Sequence, residues 1–140
     1  MVKISASLLA CDEAYLGETV VNLEKAGVDL IHLDVMDGHY VKNFAFSPKT
    51  VRDLRKITAL PFEVHLEIEN PEQYTSIFAE AGADVLIVQL DTVRHPIRTL
   101  KEIRSFGKKA LGKKWGLLSI PVAGSRNCST WQHTLIMYSL

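Results

Sequence analysis

Short stretches of alternating apolar and polar residues recur along the chain, and longer stretches with apolar residues at helical spacing separate them. The alternating stretches predict strands at 3–8, 30–36, 62–68 and 84–90. The helical stretches begin near Asp12, Ser47, Asn70 and Pro96 and end near Gly27, Lys56, Gly82 and Gly107. This strand–helix alternation with short connections is typical of an α/β protein with a parallel sheet and right-handed crossovers.

Residue types at the predicted helix ends support these boundaries. Asp12, Ser47 and Asn70 are of the types that commonly cap helix N-termini, and proline directly follows Ser47 and Asn70. Gly27 and Gly82 stand where a helix commonly ends in a left-handed residue. The sequence therefore predicts a repeated strand–helix unit, as in a barrel.

The second predicted strand opens the stretch 31–43, where polar residues interrupt an apolar run. His32 and Asp34 fall on one face of this strand, and apolar residues fall on the other. An imidazole and a carboxylate on a buried face are costly unless they are paired or bind a metal. The strand is therefore either an amphipathic edge strand or the floor of an active site.

The other strands also place polar residues towards their C-terminal ends, and these are Ser7, His65 and Gln89. Barrel enzymes draw catalytic side chains from the C-terminal ends of several strands. A doubly wound sheet would instead collect its site at one switch point, and neither a G-x-G-x-x-G nor a Walker motif occurs. The pattern favours a (βα)8 TIM barrel, of which this chain contains about the first four βα units.

Two histidines and one carboxylate on neighbouring strands, namely His32, Asp34 and His65, suit a divalent ion such as Zn, Fe or Mn. Such an ion could polarise a carbonyl group and stabilise an enediolate, and Asp34 could serve as the base. The alternative is that both histidines are hydrogen-bonded core residues and that Asp34 caps a loop. Spacing alone leaves both interpretations open.

The composition narrows the possible partners and location. The 16 acidic and 16 Lys and Arg residues balance, which gives no indication of a nucleic-acid or anionic-membrane partner. The two cysteines, Cys11 and Cys128, are too few for a disulfide framework. No apolar run approaches membrane-spanning length, and the N-terminus lacks a full signal-peptide core. We expect a cytoplasmic protein that contacts neither nucleic acid nor membrane.

The stretch 32–43, H-L-D-V-M-D-G-H-Y-V-K-N, resembles the signature H-[LV]-D-[VI]-M-D-G-H-F-V-P-N of the ribulose-phosphate 3-epimerase family. The resemblance runs from Lys3 to about Ala110. Its further blocks are A-S-L-L at 6–9, F-E-V-H-L-E-I-E-N-P at 62–71, A-G-A-D at 81–84 and R-T-L-K-E-I-R at 98–104. It implies a (βα)8 barrel that interconverts ribulose 5-phosphate and xylulose 5-phosphate in pentose phosphate metabolism. We also expect a sugar-phosphate substrate and a homo-oligomer.

The resemblance further implies a two-acid mechanism, in which one aspartate removes the proton from C3 of the substrate and a second delivers a proton to the opposite face. The resemblance also implies that a divalent ion (Zn, Fe, Mn or Co), bound by two histidines and both aspartates, stabilises the enediolate. By the same resemblance His32, Asp34 and His65 are metal ligands, and Asp34 is the first catalytic aspartate. Ser7, Met36 and again His65 resemble the substrate-binding residues.

The chain departs from the family pattern at single positions. Lys42 stands in place of a proline, Glu67 in place of a methionine and Gln89 in place of a histidine. If the strand register is right, Glu67 adds a carboxylate near the metal face. These changes leave the substrate open, and an allulose-6-phosphate 3-epimerase is the close alternative.

The residues 111–140 depart much further from the family pattern, since they contain no Asp or Glu but hold both Trp115 and Trp131. The expected P-G-F-G-G-Q loop and the D-G-G strand with the second aspartate do not occur in them. We therefore predict a family-like part at 1–110 and a divergent tail at 111–140, frameshifted or foreign in origin. A genuine divergent extension is the alternative.

Without the second acid and the phosphate-binding segment, we expect weak metal binding and little or no epimerase activity unless another chain supplies the second half. A second hypothesis is a non-catalytic half-barrel that self-associates through open strand edges. A third is a related decarboxylase or aldolase-type synthase. Their Asp-x-Lys-x-x-Asp motif has no counterpart at Asp34-Val35-Met36-Asp37, which lacks the lysine, so this hypothesis ranks last.

Overall fold

The computed structural model describes residues 3–109, 116–121 and 133–136, with side chains described over 3–106. The strands are β1 Ser5–Ser7, β2 Leu30–Asp37, β3 Phe44–Ala45, β4 Phe62–Glu67, β5 Val85–Gln89, β6 Gly116–Pro121 and β7 His133–Ile136. The helices are α1 Leu16–Ala26, α2 Pro48–Arg55, α3 Thr75–Ala81 and α4 Pro96–Lys109. No helix within these described ranges combines the length and the apolar character that crossing a membrane requires.

The strands form one sheet in the order β1-β2-β4-β5-β6-β7, with the short β3 paired to β2. From β1 to β6 along this path every pairing is parallel, and successive strands of the chain are neighbours. A sheet wound steadily in one direction is the arrangement of a barrel, whereas a doubly wound sheet reverses its order at a switch point. The predicted TIM-barrel type is therefore confirmed. Since β2 lies between β1 and β4, it is not an edge strand.

The end of the described chain departs from the repeated strand–helix unit. β6 continues the parallel order beside β5, but β7 pairs antiparallel with β6. Both strands belong to the predicted tail at 111–140, and the remainder of that tail lies outside the described residues. The boundary near residue 110 therefore stays a prediction.

The two faces of the sheet differ sharply in character. Strand alternation directs one set of apolar side chains to a buried core, and these are Ile31, Leu33, Val35, Phe62, Val64, Leu66, Leu86 and Val88. The helices cover this face, because Val20 of α1, Val51 of α2 and Phe78 of α3 join the same core cluster. The opposite face carries the polar residues of β1, β2, β4 and β5. We call the helix-covered side the packing face. The opposite side is the chemical face, and its polar residues include Ser7, His32, Asp34, Glu63, His65 and Gln89.

Several predicted helix boundaries agree with the structure, and three differ. Asp12 caps a 3-10 turn at Glu13–Tyr15, and α1 begins only at Leu16. The Ser47 side chain accepts a hydrogen bond from the Thr50 amide in a capping box at the start of α2. Asn70 does not cap a helix. Its backbone is left-handed, its side chain makes no capping hydrogen bond, and a short 3-10 turn precedes α3 instead. Helix α4 continues through Gly107 to Lys109, since an internal glycine weakens a helix without ending it.

One guanidinium fixes α2 against the beginnings of β4 and β5. The Arg55 guanidinium lies 4.0 Å from the centroid of the Phe62 ring. Its Nη1 donates to Asp84 Oδ2 at 3.0 Å, and the same oxygen accepts from the Phe62 amide at 2.9 Å. These contacts hold β4 in place relative to its neighbours, and β4 is the strand that carries His65.

The loop that follows β2 is tied to the C-terminal ends of β4 and β5. The Asp37 carboxylate accepts from the amides of His39, Tyr40 and Glu69 at 2.8, 3.1 and 2.8 Å. The Tyr40 hydroxyl donates to Asp91, with 3.3 Å between Tyr40 Oη and Asp91 Oδ2. The loop therefore lies beside the C-terminal ends of β4 and β5, near the polar residues of the chemical face.

Truncation of the packing face should destabilise the chain strongly. Leu66 has 0% of its surface exposed, so we expect Leu66→Ala to lower the free energy of unfolding by about 2–5 kcal/mol through lost burial and a cavity. Ile97 on α4 is 72% exposed, and Ile97→Ala is the control, with an expected change within about 0.5 kcal/mol. Equal losses in denaturant titrations of the two variants would contradict the assignment of the core.

The contact between Tyr40 and Asp91 should be visible in an alkaline titration. Burial, and then the negative charge of Asp91, raise the pKa of Tyr40 from its ordinary value of 10 to about 12. The folded chain should therefore show one tyrosinate absorbance step that lags behind the others, and the free energy of unfolding should fall as pH rises above 10, where only the unfolded chain ionises Tyr40. Tyr40→Phe should remove the late step, and Asp91→Asn should move it to lower pH. A late step that Asp91→Asn leaves in place would contradict this contact.

Candidate metal centre

The pairing of β2 with β4 brings two histidines to one carboxylate. Asp34 and His65 are directly opposite each other in the parallel register, and His32 lies two residues before Asp34 on the same face. His32 Nε2 lies 2.9 Å from Asp34 Oδ1, and His65 Nδ1 lies 3.2 Å from the same oxygen. One potential ligand atom from each of the three residues lies within 4.8 Å of the others.

These three residues are a suitable donor set for a divalent ion. Two imidazole nitrogens and one carboxylate oxygen are the ligands that Zn and related transition ions take in proteins. Because both nitrogens face the same oxygen, an ion that replaced the protons between them would meet all three donors at once. Three protein ligands also leave positions for a further ligand or for substrate oxygens.

Ser7 joins the cluster from β1 and separates the roles of the two Asp34 oxygens. Its Oγ donates to Asp34 Oδ2 at 3.2 Å and accepts from the Leu9 amide at 3.2 Å. Asp34 Oδ1 therefore faces the two histidines, while Oδ2 faces β1. Asp34 lies inside β2 and bonds only side chains in these contacts, so the alternative in which it caps a loop is wrong.

Met36, the other residue assigned by sequence, lies further along β2. It follows Asp34 by two residues on the same face, opposite Glu67 of β4. Its Sδ accepts a weak hydrogen bond from the Asn43 side chain at 3.6 Å. Met36 thus lies where β2 meets the following loop, beside the histidine–aspartate cluster rather than in it.

Glu63 and Gln89 contact the outer nitrogens of the two histidines, which the sequence did not predict. Glu63 Oε2 lies 2.7 Å from His32 Nδ1 and accepts from Ser5 Oγ at 3.0 Å. Gln89 Nε2 lies 2.9 Å from His65 Nε2. Strand alternation had put Glu63 and Gln89 on the chemical face, but only the register places Glu63 opposite His32.

Opposite charges set the ionisation of the inner pair. Burial alone would lower the pKa of His32, but hydrogen bonds to Asp34 and Glu63 outweigh it and raise that pKa to about 9. Burial alone would raise the pKa of Asp34, but hydrogen bonds from His32 and His65 hold it well below its usual range. Without an ion, the neutral-pH cluster therefore contains an imidazolium and an ionised carboxylate.

The two glutamates of β4 respond in opposite directions. The hydrogen bond from His32 lowers the pKa of Glu63, against the effect of burial. Burial raises the pKa of Glu67, and the charge of Asp34 adds to the rise. Glu67 Oε1 lies 3.9 Å from His65 Nδ1, so the carboxylate expected near the metal face is indeed at its margin.

Solved structures with a similar chain path support the fold alone. One structure of a mandelate oxidase matches with a TM-score of 0.59 and 18% sequence identity, over 84% of this chain and 43% of that one. A second mandelate oxidase structure matches with a TM-score of 0.56 over 42% of its length. Sequence identities this low support a shared fold but give no information about shared chemistry.

Curated relatives are much more similar in sequence. A ribulose-phosphate 3-epimerase of Bacillus subtilis is 46% identical over 110 residues, which is 79% of this chain and 51% of that protein. The chloroplastic ribulose-5-phosphate-3-epimerase of Arabidopsis thaliana is 45% identical over 76% of this chain and 39% of its own length. A ribulose-phosphate 3-epimerase of Methanocaldococcus jannaschii is 38% identical over 79% and 47% of the respective lengths.

The chain spans about half the length of these bacterial and archaeal relatives, and the matched part includes the whole candidate metal centre. The sequence model of the ribulose-phosphate 3 epimerase family matches residues 3–113. This range contains β1 to β5 and all four helices, which together build both faces of the sheet. The chain belongs to the ribulose-phosphate 3-epimerase family.

Proposed function

We propose that this chain supplies the metal-binding half of an active site that epimerises ribulose 5-phosphate to xylulose 5-phosphate. The observation that carries the proposal is the convergence of His32 Nε2 and His65 Nδ1 on Asp34 Oδ1. The family and the names of the relatives, ribulose-phosphate 3-epimerases, support the choice of reaction. The proposed ion is divalent, of the Zn, Fe, Mn or Co kind, with His32, Asp34 and His65 as ligands.

A divalent ion in this position would draw electron density from the substrate ketone and so make the C3 proton more acidic. Asp34 is ionised at neutral pH because two imidazoles stabilise its charge, and a proton acceptor has to be in this state. Its Oδ2 is turned away from both histidines and is held by Ser7 Oγ. We propose that Asp34 Oδ2 accepts the C3 proton from one face of the sugar phosphate.

The remaining assigned residues would position the substrate. Ser7 Oγ can donate to a substrate oxygen as well as to Asp34, since both lie on the chemical face. Met36 lies further towards the C-terminal edge, where its apolar side chain can pack against the carbon skeleton of the sugar. His65, only 4% exposed, forms the buried floor against which the substrate and the ion would rest.

We also propose that the 140 residues are insufficient for full turnover. The family's D-G-G segment, with the acid for the opposite face of the substrate, does not occur in this sequence. A proton removed from one face then has no partner acid in the chain to deliver another from the opposite face. Residues outside these 140 would have to supply this acid and the phosphate-binding segment. Self-association and a cytoplasmic location remain part of this proposal.

The substrate alternative is a phosphorylated six-carbon ketose, as in an allulose-6-phosphate 3-epimerase. Glu67 and Gln89 differ from the family pattern and are buried at the margin of the site, at 6% and 2% exposure. A carboxyl group at Glu67, where the family pattern has an apolar methionine, could accept a hydrogen bond from an additional hydroxyl group. Comparing the two substrates in one assay separates these possibilities.

Removal of a ligand should strongly weaken metal binding without unfolding the chain. We expect Asp34→Ala and His65→Ala to weaken zinc or cobalt binding by at least roughly 10- to 100-fold. A loss of this size is typical even for residues that only hydrogen-bond a metal ligand. Asp53→Asn is the control, because the Asp53 carboxylate bonds Lys49 and Lys56 on the exposed surface, away from the cluster. Metal titrations of the purified chain, with circular dichroism to verify folding, are the measurement. Unchanged metal binding in Asp34→Ala would refute the site.

The activity of the chain should depend on a complementary half. A coupled assay with ribulose 5-phosphate should give little or no xylulose 5-phosphate from the 140-residue chain alone. Addition of the segment of the Bacillus subtilis relative that this chain lacks should restore turnover, and Asp34→Ala should abolish the restored activity. Full turnover by the chain alone would contradict its proposed insufficiency. If complementation gave turnover of allulose 6-phosphate only, the substrate assignment would be wrong.

A further inference from the structure

We propose that Glu63 and Gln89 are positioning residues that decide which ring nitrogen His32 and His65 offer to the ion. The inference rests on the proposed metal centre, but neither residue belongs to the three ligands. It concerns the far side of each imidazole, where Glu63 and Gln89 make the contacts described above. A histidine binds a metal through one deprotonated nitrogen, and the partner of the other nitrogen fixes that choice.

Glu63 holds His32 in the orientation that metal binding requires. A carboxylate only accepts hydrogen bonds, so the 2.7 Å contact of Glu63 Oε2 requires a proton on His32 Nδ1. The nitrogen left for an ion is then Nε2, which faces Asp34 Oδ1 at 2.9 Å. Ser5 Oγ donates to the same Glu63 oxygen at 3.0 Å and so restrains the glutamate itself. The resulting chain of contacts runs from β1 through β4 to β2.

Gln89 also contacts the outer ring nitrogen of its histidine, His65. Here the histidine nitrogen accepts the hydrogen bond, whereas His32 donates one to Glu63. An amide nitrogen only donates, so the 2.9 Å contact between Gln89 Nε2 and His65 Nε2 requires that His65 Nε2 accepts. In the neutral ring the proton then lies on Nδ1, where it points to Asp34 Oδ1 at 3.2 Å. This tautomer occupies the nitrogen that the ion would need.

The other end of the same amide offers the alternative. Gln89 is 2% exposed, and its Oε1 is buried without a hydrogen-bond partner among the described residues. A buried acceptor in this state is costly. A half-turn of the amide exchanges Oε1 and Nε2 in the same volume. It would also give up the hydrogen bond from the Gln89 side chain to Glu67. Oε1 would then accept from a proton on His65 Nε2, and His65 Nδ1 would present its lone pair to an ion.

The two histidines therefore have different partners: Glu63 has one fixed hydrogen-bonding role, and Gln89 can exchange its donor for its acceptor. Glu63 can only accept, so it keeps a proton on His32 Nδ1 whether or not an ion is present, and Nε2 is the nitrogen that would exchange its proton for an ion. Gln89 can donate or accept, so it fits both tautomers of His65. Binding of an ion would turn the Gln89 amide and move the His65 proton from Nδ1 to Nε2, with no net gain or loss of protons at His65.

The test without any substitution is nitrogen NMR of the imidazole rings in the 140-residue chain. In the zinc-loaded chain we expect His32 to carry its proton on Nδ1 and His65 to carry its proton on Nε2. In the metal-free chain the His65 proton should instead lie on Nδ1. A His65 that keeps the same tautomer with and without zinc would overturn the reversible role of Gln89. Zinc bound through His32 Nδ1 would overturn the role of Glu63.

Variants test the same inference through metal affinity. Glu63→Gln removes an obligatory acceptor, and Gln89→Leu removes the amide at nearly constant volume, so each should weaken zinc binding by about 10- to 100-fold. Glu63→Asp should regain part of the loss, and Gln89→Glu, which can only accept, should bind zinc at least as tightly as wild type. Glu69→Gln is the matched control, since Glu69 is an exposed carboxylate just beyond β4. Its affinity should not change.

The outcomes separate this inference from the proposed function. If Asp34→Ala binds zinc as wild type does, the metal centre itself is wrong. If Asp34→Ala loses zinc while Glu63→Gln and Gln89→Leu retain wild-type affinity, the metal centre stands and the positioning roles are wrong. A merely structural role would lower thermal stability without changing the ring tautomers, and the NMR measurement on the wild-type chain detects that case even where a variant fails to fold.

Discussion

The chemistry of this chain depends on one register, the parallel pairing that sets Asp34 of β2 opposite His65 of β4. Side chains alternate between the faces of a strand, so a shift of β4 by one residue would turn His65 towards the helices and bring Val64 or Leu66 to the chemical face. The core opposes such a shift, because Val64 and Leu66 are fully buried on the packing face. Apolar burial therefore fixes the polar contacts.

The chemical face shows how a sheet can bury charge at tolerable cost. A buried carboxylate or imidazole is unfavourable unless hydrogen bonds and opposite charges compensate for the lost water. Asp34 receives contacts from His32, His65 and Ser7, and Glu63 receives contacts from His32 and Ser5. The exception is Gln89 Oε1, which is buried without a partner among the described residues. This single unmet acceptor is the reason to infer a second state of the site.

The barrel-type order of the strands explains why residues far apart in sequence act together. Ser7, Asp34, His65 and Gln89 come from four successive parallel strands, each of which presents its polar residue near the same edge of the sheet. The loop after β2 is fastened to this edge through Asp37, Tyr40 and Asp91. Each strand–helix unit thus supports its own contribution to the site and covers the packing face of the sheet.

The sequence by itself determined the strand–helix order and the barrel type, and it placed Ser7, His32, Asp34 and His65 on one face of the sheet, because alternation and helical spacing are local properties. Only the tertiary structure decided that Asn70 is left-handed, that α4 passes Gly107, and that Glu63 and Gln89 contact the two histidines. These facts depend on backbone conformation and on which residues of neighbouring strands face each other. A linear pattern gives the face of a residue, but its partner across the sheet is fixed only when the strands pack in one register.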